Sequence, residues 1–301
     1  MLNTLLAIRW DVDPNLFGLR IFHWYSWLFI AGFILGWYII RWMFRREGVS
    51  EKLMDPLLYT MLIGTIVGAR LGHCIFYQPE YYFGSWHGFW EIFMPWKGGL
   101  ASHGGTIALI FAVWWYAHHY GPKNGFDFFW IADRLVITIC FAGAFIRLGN
   151  LFNSEIYGGP TDLPWGFIFV RNHEVVPKHP TQLYEAFSYI ILGLMLVWLY
   201  VKKGQVIKRG TIFGWFFIVL FGVRFLIEFV KNDQGEFDQK VIEMCGLNLG
   251  QLLSIPFILI GIGFLVWLGT GHGKPGAVDK VEPLKAQKKE KTHYAKSLSD
   301  S

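Results

Sequence analysis

Residues 244–273 of this 301-residue chain read MCGLNLGQLLSIPFILIGIGFLVWLGTGHG, a run of thirty positions without Asp, Glu, Lys or Arg. Uncharged runs also cover residues 21–40, 98–117 and 186–201. Because about 20 helical residues at roughly 1.5 Å each cross the hydrocarbon core of a bilayer, such runs are typical of membrane-spanning helices. The whole chain is 53% hydrophobic and only 16% charged, which is too apolar for an ordinary soluble domain of this length. The sequence therefore predicts an all-α integral membrane protein.

The apolar runs and the charged or Gly/Pro-containing stretches between them predict about seven transmembrane helices. We place these at residues 20–44, 56–77, 98–119, 127–151, 182–201, 210–230 and 249–269. The predicted organisation is an N-terminal segment over 1–19, a seven-span membrane domain over 20–269 and a tail over 270–301. The long loop between spans four and five, about 152–181, is rich in Gly, Pro and aromatic residues, and we expect it to fold as a small external cap.

The distribution of positive charge predicts the orientation of the spans. The loops after spans one, three and five, together with the tail, contain sixteen Lys and Arg, against seven on the opposite side. The positive-inside rule then places the C-terminus in the cytoplasm and the N-terminus outside. The tail contains seven lysines and almost no large apolar residues, which favours a disordered, solvated segment over one that binds anionic lipid.

The cysteines and the first residues argue against two other features. Cys74, Cys140 and Cys245 form no paired motif, so neither a disulfide framework nor a metal site is indicated. The first eighteen residues include Asp11 and Asp13 and lack a basic region followed by a small-residue cleavage site. We therefore expect no removable signal peptide, and the first span to serve as the targeting signal.

Four arginines lie inside or at the end of predicted spans: Arg70, Arg134, Arg147 and Arg224. Since a charged side chain at membrane depth costs roughly 2.5–3.5 kcal/mol, each one indicates a functional site unless a partner explains it. Arg134 adjoins Asp133, and we interpret it as a structural or snorkelling residue near the cytoplasmic end of its span. The other three lie within about seven residues, roughly 10 Å, of the outer ends of their spans, and so are predicted to share one depth.

Further polar side chains from four spans fall near the same depth: Tyr25, His103, Asn150, Asn153 and Glu228. Arginine suits bidentate contact with phosphate, so the set predicts a site that binds an anionic phospholipid headgroup and stabilises a phosphate leaving group. Imidazole accepts a proton near neutrality, which makes His103 the candidate general base; a hydrogen bond between helices is the alternative interpretation. Tyr25 either takes part in the chemistry or only anchors the chain at the membrane interface.

Residues 147–155 read RLGNLFNSE and are followed by Gly158, and this stretch resembles the signature of the prolipoprotein diacylglyceryl transferases. Five shorter strings stand in that family's order: HWY at 23–25, GAR at 68–70, SHGG at 102–105, HPTQLYE at 179–185 and RFLIE at 224–228. Six strings in order, spread over nearly the whole membrane region, make the resemblance specific.

The resemblance implies a transferase of the bacterial cytoplasmic (inner) membrane that carries out the first step of lipoprotein maturation. Phosphatidylglycerol would donate its diacylglyceryl group to the lipobox cysteine thiol in the signal peptide of a preprolipoprotein. A thioether would form and glycerol phosphate would leave. No soluble cofactor, no metal and no nucleic acid partner is implied.

The resemblance also assigns residues. Arg147 matches the family's phosphatidylglycerol-binding arginine, with Arg224 as a second phosphate-facing cation and His103 as the base. The predicted site comprises catalytic Tyr25, His103, Arg147 and Arg224; phospholipid-binding Arg70, Arg147, Asn150 and Arg224; and supporting Asn153, Glu155, Gly158 and Glu228.

The chain departs from the family pattern at three positions. Ile146 and Leu151 stand where the signature usually has Gly and Phe, and we interpret both as packing changes. Leu220 stands where family members often have a tyrosine, four residues before the second arginine. Any role of that phenol is then absent or supplied elsewhere, which leaves His103 and Tyr25 as candidate proton acceptors.

Two other classes of protein remain as alternatives. An anion or organophosphate transporter would use the same arginines, but the cations lie near one membrane face and the sequence contains no repeat or pair of broken helices. A receptor or lipid-binding scaffold without turnover would explain a lipid site but not a proton acceptor beside phosphate ligands. We therefore favour the enzyme.

Overall fold

A computed structural model describes residues 7–18, 22–232, 242 and 246–279 of the protein. The described chain is mostly helical, with two three-residue strands, β1 (Ile8–Trp10) and β2 (Phe167–Phe169). Its helices are α1 (Trp24–Arg46), α2 (Met54–Phe76), α3 (Pro79–Gly84), α4 (Trp86–Glu91), α5 (Ser102–Asn124), α6 (Phe128–Phe152), α7 (Thr181–Lys203), α8 (Thr211–Ile227) and α9 (Leu249–Gly269). The predicted helical fold class is confirmed, with the small sheet as an addition.

Each predicted span corresponds to one long helix, and the largest difference lies in α5, which we predicted over 98–119. Gly98 and Gly99 have φ angles of 89° and 72°, which are outside the helical region, so the helix begins only at Ser102. The helix ends at Asn124, and Gly125 caps it in the left-handed conformation with a φ of 76°.

Six of the described helical segments are long and apolar enough to cross a membrane: Trp24–Arg46, Glu51–Phe76, Phe128–Phe152, Thr181–Lys203, Thr211–Val230 and Leu249–Gly269. Their outer faces are apolar; for example, Ile63 and Leu259 are 60% and 62% exposed. The chain is thus a multi-pass membrane protein. Helix α5 is equally long but is outside this set, and its last seven residues include two histidines, a lysine and an asparagine. A seventh crossing by α5 stays a prediction.

The chain forms two compact units, of which the first comprises Met1–Phe44 and Ala132–Gly276. In this unit α8 packs closely on α9 through glycines. A Cβ atom on Gly214 would lie 2.6 Å from Leu265 Cδ2, and one on Gly261 would lie 2.9 Å from Ile218 Cγ1. Neither position has room for a larger residue, so the close approach of the two helices depends on these glycines.

The second unit comprises Arg45–Ile131 and Ala277–Ser301, and its described helices α2 and α5 also pack through small residues. A Cβ atom on Gly68 would lie 2.0 Å from Ala108 Cβ, and one on Gly72 would lie 2.8 Å from Gly104 Cα. The backbones of α2 and α5 therefore approach each other more closely than larger side chains would allow.

The loop between α6 and α7 is folded. Strand β2 pairs in parallel with β1, with Ile8 opposite Phe167. Leu151, Phe167 and Phe169 form a small buried cluster, and Trp10 Nε1 donates to the Leu151 carbonyl oxygen at 3.0 Å. That this loop covers the outer face of the membrane domain stays a prediction.

Parts of the predicted terminal segments lie outside the described residues. These parts are residues 1–6 and 19 of the N-terminal segment and residues 280–301 of the tail, together with Cys245. Arg20, Lys240 and the lysines beyond residue 279, which all entered the prediction of orientation, lie outside as well.

Candidate active site

The signature stretch turns back on itself immediately after α6. Ser154 and Ile156 have φ angles of 54° and 60°, so the chain reverses through two left-handed positions on either side of Glu155. The backbone is fixed there by side chains from the first turn of α7. Gln182 Nε2 donates to the Glu155 carbonyl oxygen at 2.7 Å, and Thr181 Oγ1 donates to that of Ile156 at 2.9 Å. The reversal therefore holds the Glu155 side chain near the end of α6.

Amide groups connect Glu155 to Arg147. Asn150 Nδ2 donates to Glu155 Oε1 at 2.7 Å, and Asn153 Nδ2 donates to the same oxygen at 3.2 Å. Asn150 Oδ1 in turn accepts from Arg147 Nη1 at 3.1 Å. Asn150, which is 5% exposed, thus links the arginine to the carboxylate, whereas Asn153 contacts the carboxylate alone.

Five charged side chains of the first unit form a row of alternating sign, which we call the charge chain: Arg147, Glu185, Lys231, Glu228 and Arg224. Arg147 Nε lies 2.7 Å from Glu185 Oε2, and Lys231 Nζ lies 3.2 Å from Glu185 Oε1. Lys231 Nζ also lies 2.8 Å from Glu228 Oε1, which is 4.0 Å from Arg224 Nη2. The row begins and ends with a guanidinium group.

Exposure along the charge chain rises from its centre to its ends. The Glu185, Lys231 and Glu228 side chains are 0%, 3% and 8% exposed, while those of Arg147 and Arg224 are 15% and 32% exposed. Three cations face two carboxylates, so the chain carries one excess positive charge. Glu155, which Asn150 joins to Arg147, is a third carboxylate beside that end of the row. The positive charge of the row is therefore least compensated at Arg224, and a guanidinium group in a poorly solvated site favours binding of an anion there.

Of the two ends of the charge chain, Arg224 is held less tightly by its neighbours. Its Nε atom is buried and has no hydrogen-bond partner in the described chain, and its Nη2 atom reaches Glu228 only at 4.0 Å. A guanidinium group with free donors is suited to bidentate contact with a phosphate.

The beginning of α9 helps to hold Glu228. Asn248 caps that helix and donates from Nδ2 to the Glu228 carbonyl oxygen at 3.0 Å. A Cβ atom on Gly250 would lie 2.5 Å from the Glu228 carboxyl carbon, so a larger residue there would displace the carboxylate from this position. Sequence reasoning missed both residues, whose roles depend on tertiary packing.

Gly158 and Tyr25, two predicted site residues, also lie in the first unit. A Cβ atom on Gly158 would lie 2.3 Å from the Val230 carbonyl oxygen, so residues 153–160, which we call the signature loop, contact the chain just before Lys231. Tyr25 packs on Gly149, where an added Cβ atom would lie 2.7 Å from the ring, and it interacts electrostatically with Glu155 and Arg147. The structure thus brings Tyr25 close to the Arg147 end of the charge chain.

The family string at 179–185 supplies Glu185, and it begins with a histidine at the edge of the cap. Gly158 N donates to the His179 carbonyl oxygen at 2.8 Å, and His179 Nδ1 lies 3.2 Å from the Tyr184 hydroxyl oxygen. Burial lowers the pKa of the His179 imidazole, which favours its neutral form near pH 7. The string therefore joins the cap, the signature loop and the charge chain.

Arg70 and His103 lie in the second unit. Arg70 is 3% exposed and donates to backbone carbonyl oxygens: from Nε to Ile92 at 3.1 Å, from Nη2 to Glu91, and from Nη1 to Gly98 and Gly99. These contacts favour a structural role, so headgroup binding by Arg70 stays a prediction. The His103 side chain is exposed, and its ring lies 5.7 Å from those of Phe76 and Tyr77. Its accessibility is compatible with its predicted role as a base.

Sequence reasoning did not assign Glu185 or Lys231 to the site. Glu185 stands in one of the family strings, which was the available signal. Lys231 was counted among the loop lysines; its spacing of three residues from Glu228 and seven from Arg224, one helical face, was the signal for it.

Comparison with known proteins agrees with the features described. Residues 14–267 match the family model described as prolipoprotein diacylglyceryl transferase. Proteins named phosphatidylglycerol–prolipoprotein diacylglyceryl transferase are similar to this chain. That of Porphyromonas gingivalis is 45% identical over 86% of this chain and 94% of its own length. That of Tolumonas auensis is 42% identical over 84% and 94%, and that of Bacteroides fragilis is 39% identical over 89% and 98%. The chain therefore belongs to the prolipoprotein diacylglyceryl transferase family.

Proposed function

We propose that this protein transfers the diacylglyceryl group of phosphatidylglycerol to the lipobox cysteine thiol of a preprolipoprotein, the first step of lipoprotein maturation. The family membership supports the reaction. The observation that carries the proposal to particular residues is the charge chain, which has a partly exposed guanidinium group at each end, 15% exposed at Arg147 and 32% exposed at Arg224. A phosphodiester headgroup carries one negative charge and would pair with these guanidinium groups.

Binding of the headgroup follows from the free donors. Arg224, whose side chain is 32% exposed, would contact the phosphate oxygens, and Arg147 would contact them from the other end of the charge chain. Glu185, Glu228 and Asn150 orient the two guanidinium groups. Because these partners are in place before the substrate arrives, little reorganisation is needed when negative charge develops on the phosphate.

The chemical step is a displacement at the carbon of the diacylglyceryl group that bears the phosphate ester. The cysteine sulfur forms a bond to that carbon, the carbon–oxygen bond to phosphate breaks, and glycerol phosphate leaves with the electron pair. The thiol proton passes to His103 or Tyr25, the two candidate acceptors. A thiol has an ordinary pKa near 8.5, so its deprotonation is the activation that the reaction requires.

The proposed setting is the bacterial cytoplasmic (inner) membrane, with the N-terminus outside, the C-terminus in the cytoplasm and the charge chain near the outer leaflet. There it would meet both substrates, since a preprolipoprotein carries its lipobox at the end of a membrane-anchored signal peptide. The positive-inside distribution of Lys and Arg supports this orientation.

The test is a transfer assay with purified protein in detergent, phosphatidylglycerol and a lipobox peptide. We expect mass spectrometry to find a diacylglyceryl addition on the peptide cysteine. A peptide with serine in place of cysteine and an Arg147→Ala protein are the controls, and both should lack the addition. If folded wild-type protein gives no addition with any of several anionic phospholipids, the arginines belong to a transporter or a non-catalytic scaffold instead.

A further inference from the structure

Lys231 occupies the centre of the charge chain. Its Nζ atom lies 2.8 Å from Glu228 Oε1 and 3.2 Å from Glu185 Oε1, and its side chain is 3% exposed. Glu185 and Glu228 are in turn the partners of Arg147 and Arg224. One ammonium group therefore connects the two carboxylates that orient the two arginines.

The backbone fixes the position of this lysine. A short 3-10 turn over Glu228–Val230 follows α8, and Lys231 N donates to the Glu228 carbonyl oxygen at 3.4 Å. Gly159 N donates to the Val230 carbonyl oxygen at 2.9 Å, and Gly158 forms a bridge to Lys231 itself. The signature loop thus holds the segment that carries the lysine, which limits the positions its side chain can take.

Burial separates the role of Lys231 from that of the arginines. A group with 3% exposure is too enclosed to contact a lipid headgroup while keeping both carboxylates as partners. Without its charge, however, two carboxylates of the row would face two guanidinium groups, and Glu155 beside Arg147 would leave the site with a net negative charge. Arg147 and Arg224 would then be held more tightly by Glu185 and Glu228 and would be less available to a phosphate.

We propose that Lys231 is a positioning residue that keeps Arg147 and Arg224 available for the anionic headgroup by neutralising the carboxylates between them. This inference rests on the proposed function, since it concerns the same site and the same phospholipid. It assigns to Lys231 an effect on phospholipid affinity that is exerted without contact with the substrate.

The first variant is Lys231→Met, which keeps the length of the aliphatic chain and removes the charge. We expect the KM for phosphatidylglycerol to rise about 10- to 100-fold, less than for loss of a group that binds the headgroup itself, because Lys231 acts only through the two arginines. The KM for the lipobox peptide should stay within about twofold of wild type, because the peptide does not depend on the excess charge.

Two further variants separate positioning from simple structural support. Lys231→Arg restores the charge and should recover most of the phospholipid affinity. The double variant Lys231→Met with Glu185→Gln removes one cation and one anion together, which restores one excess positive charge. Its KM for phosphatidylglycerol should be at least about fivefold lower than that of Lys231→Met, since coupled residues are not additive.

Lys178→Met is the matched control, because Lys178 is also a largely buried lysine with a carboxylate partner, Glu174 at 3.3 Å, but contacts no member of the charge chain. It should transfer as wild type does. All variants are compared only after size-exclusion chromatography shows folded protein.

The outcomes are distinguishable. Wild-type protein without transfer activity would contradict the proposed function. Active wild type beside a Lys231→Met protein with unchanged KM for phosphatidylglycerol would overturn the positioning role alone. Equal loss in Lys231→Met, Lys231→Arg and the double variant would also overturn it, since only a structural role ignores charge. If Lys231→Met does not fold, the double variant is compared with Glu185→Gln alone. A KM for phosphatidylglycerol within about fivefold of Glu185→Gln supports the role, because Lys231 then has one carboxylate fewer to neutralise, and a larger rise refutes it.

Discussion

Arg70 in the second unit and Arg147 in the first are both arginines in long apolar helices, but their partners differ in kind. Arg70 donates to four backbone carbonyl oxygens of residues 91, 92, 98 and 99. Arg147 binds a carboxylate, Glu185, and one amide oxygen, that of Asn150. Carbonyl groups engage all three nitrogen atoms of Arg70, whereas the charge chain of the first unit ends at Arg224, whose Nε atom has no hydrogen-bond partner among the described residues.

The difference shows that the depth of an arginine in a membrane span does not by itself identify a substrate site. The same residue type can join the end of a helix to a loop, as Arg70 does, or present a guanidinium group to a ligand. The nature of its partners separates the two uses, because a donor that is bound to a backbone carbonyl must lose that bond before it can bind phosphate.

The largest loss of activity is expected for a change of His103, which tests whether a residue of the second unit accepts the thiol proton. His103→Gln should lower kcat about 100- to 1,000-fold if His103 accepts the thiol proton, because glutamine keeps hydrogen-bonding capacity but is not a base. Transfer rates to the lipobox peptide at saturating phosphatidylglycerol measure this. The control His118→Gln changes a histidine on the same helix and should stay within about twofold of wild type.

A His103→Gln protein with full activity would refute the assignment of the base to His103. Tyr25→Phe measured beside it would then become decisive, because Tyr25 is the other candidate acceptor and lies near Arg147 and Glu155. A large loss in Tyr25→Phe alone would place the chemistry entirely in the first unit.

The second-largest loss of activity is expected for a change of Glu185. Glu185→Gln leaves Arg147 and Lys231 without their shared carboxylate in a fully buried position, so kcat/KM should fall about 30- to 100-fold. The comparison is Glu91→Gln in the second unit, which removes a carboxylate that pairs with the half-exposed Lys97. That change should cost about twofold or less, since exposed ion pairs contribute little. Similar losses in both variants would mean that the charge chain has no special importance.

Asn150 and Asn153 allow a finer test within the first unit. Asn150→Ala breaks the link between Arg147 and Glu155 and leaves buried partners unsatisfied, so kcat/KM should fall about tenfold. Asn153→Ala removes only a second, exposed bond to Glu155 and should cost about threefold or less. Steady-state assays of both variants check the order, and a greater loss in Asn153→Ala would show that the link to Arg147 is unimportant.

The sequence predicted the long helices because their cause, a run of apolar residues of bilayer length, is local. It also predicted Arg147, Asn150 and Glu155 as site residues because they stand together in one family string. The small sheet was missed, since three-residue strands leave no periodic signal. Lys231 was missed because its burial comes from α7, α8 and the signature loop together, and the partners of Arg70 because backbone carbonyls have no side-chain signature.

The smallest effect on transfer is expected for Arg70, and it tests the comparison most directly. Arg70→Met removes the donors to four carbonyl oxygens and the contact of the guanidinium group with the Tyr82 ring at 4.9 Å. The free energy of unfolding should fall by about 2–4 kcal/mol, because buried acceptors lose bonds to a charged group. The KM for phosphatidylglycerol should stay within about threefold of wild type.

Arg224→Met is the matched variant in the first unit and should behave in the opposite way, with a raised KM for phosphatidylglycerol and a nearly unchanged melting temperature. Arg224 is 32% exposed and reaches its carboxylate only at 4.0 Å, so little folding energy depends on it. Thermal unfolding in detergent and lipid titration of both proteins give the two quantities. If Arg70→Met instead raises the KM without loss of stability, Arg70 binds the headgroup as its depth in the sequence predicts, and its carbonyl contacts must open when the lipid arrives.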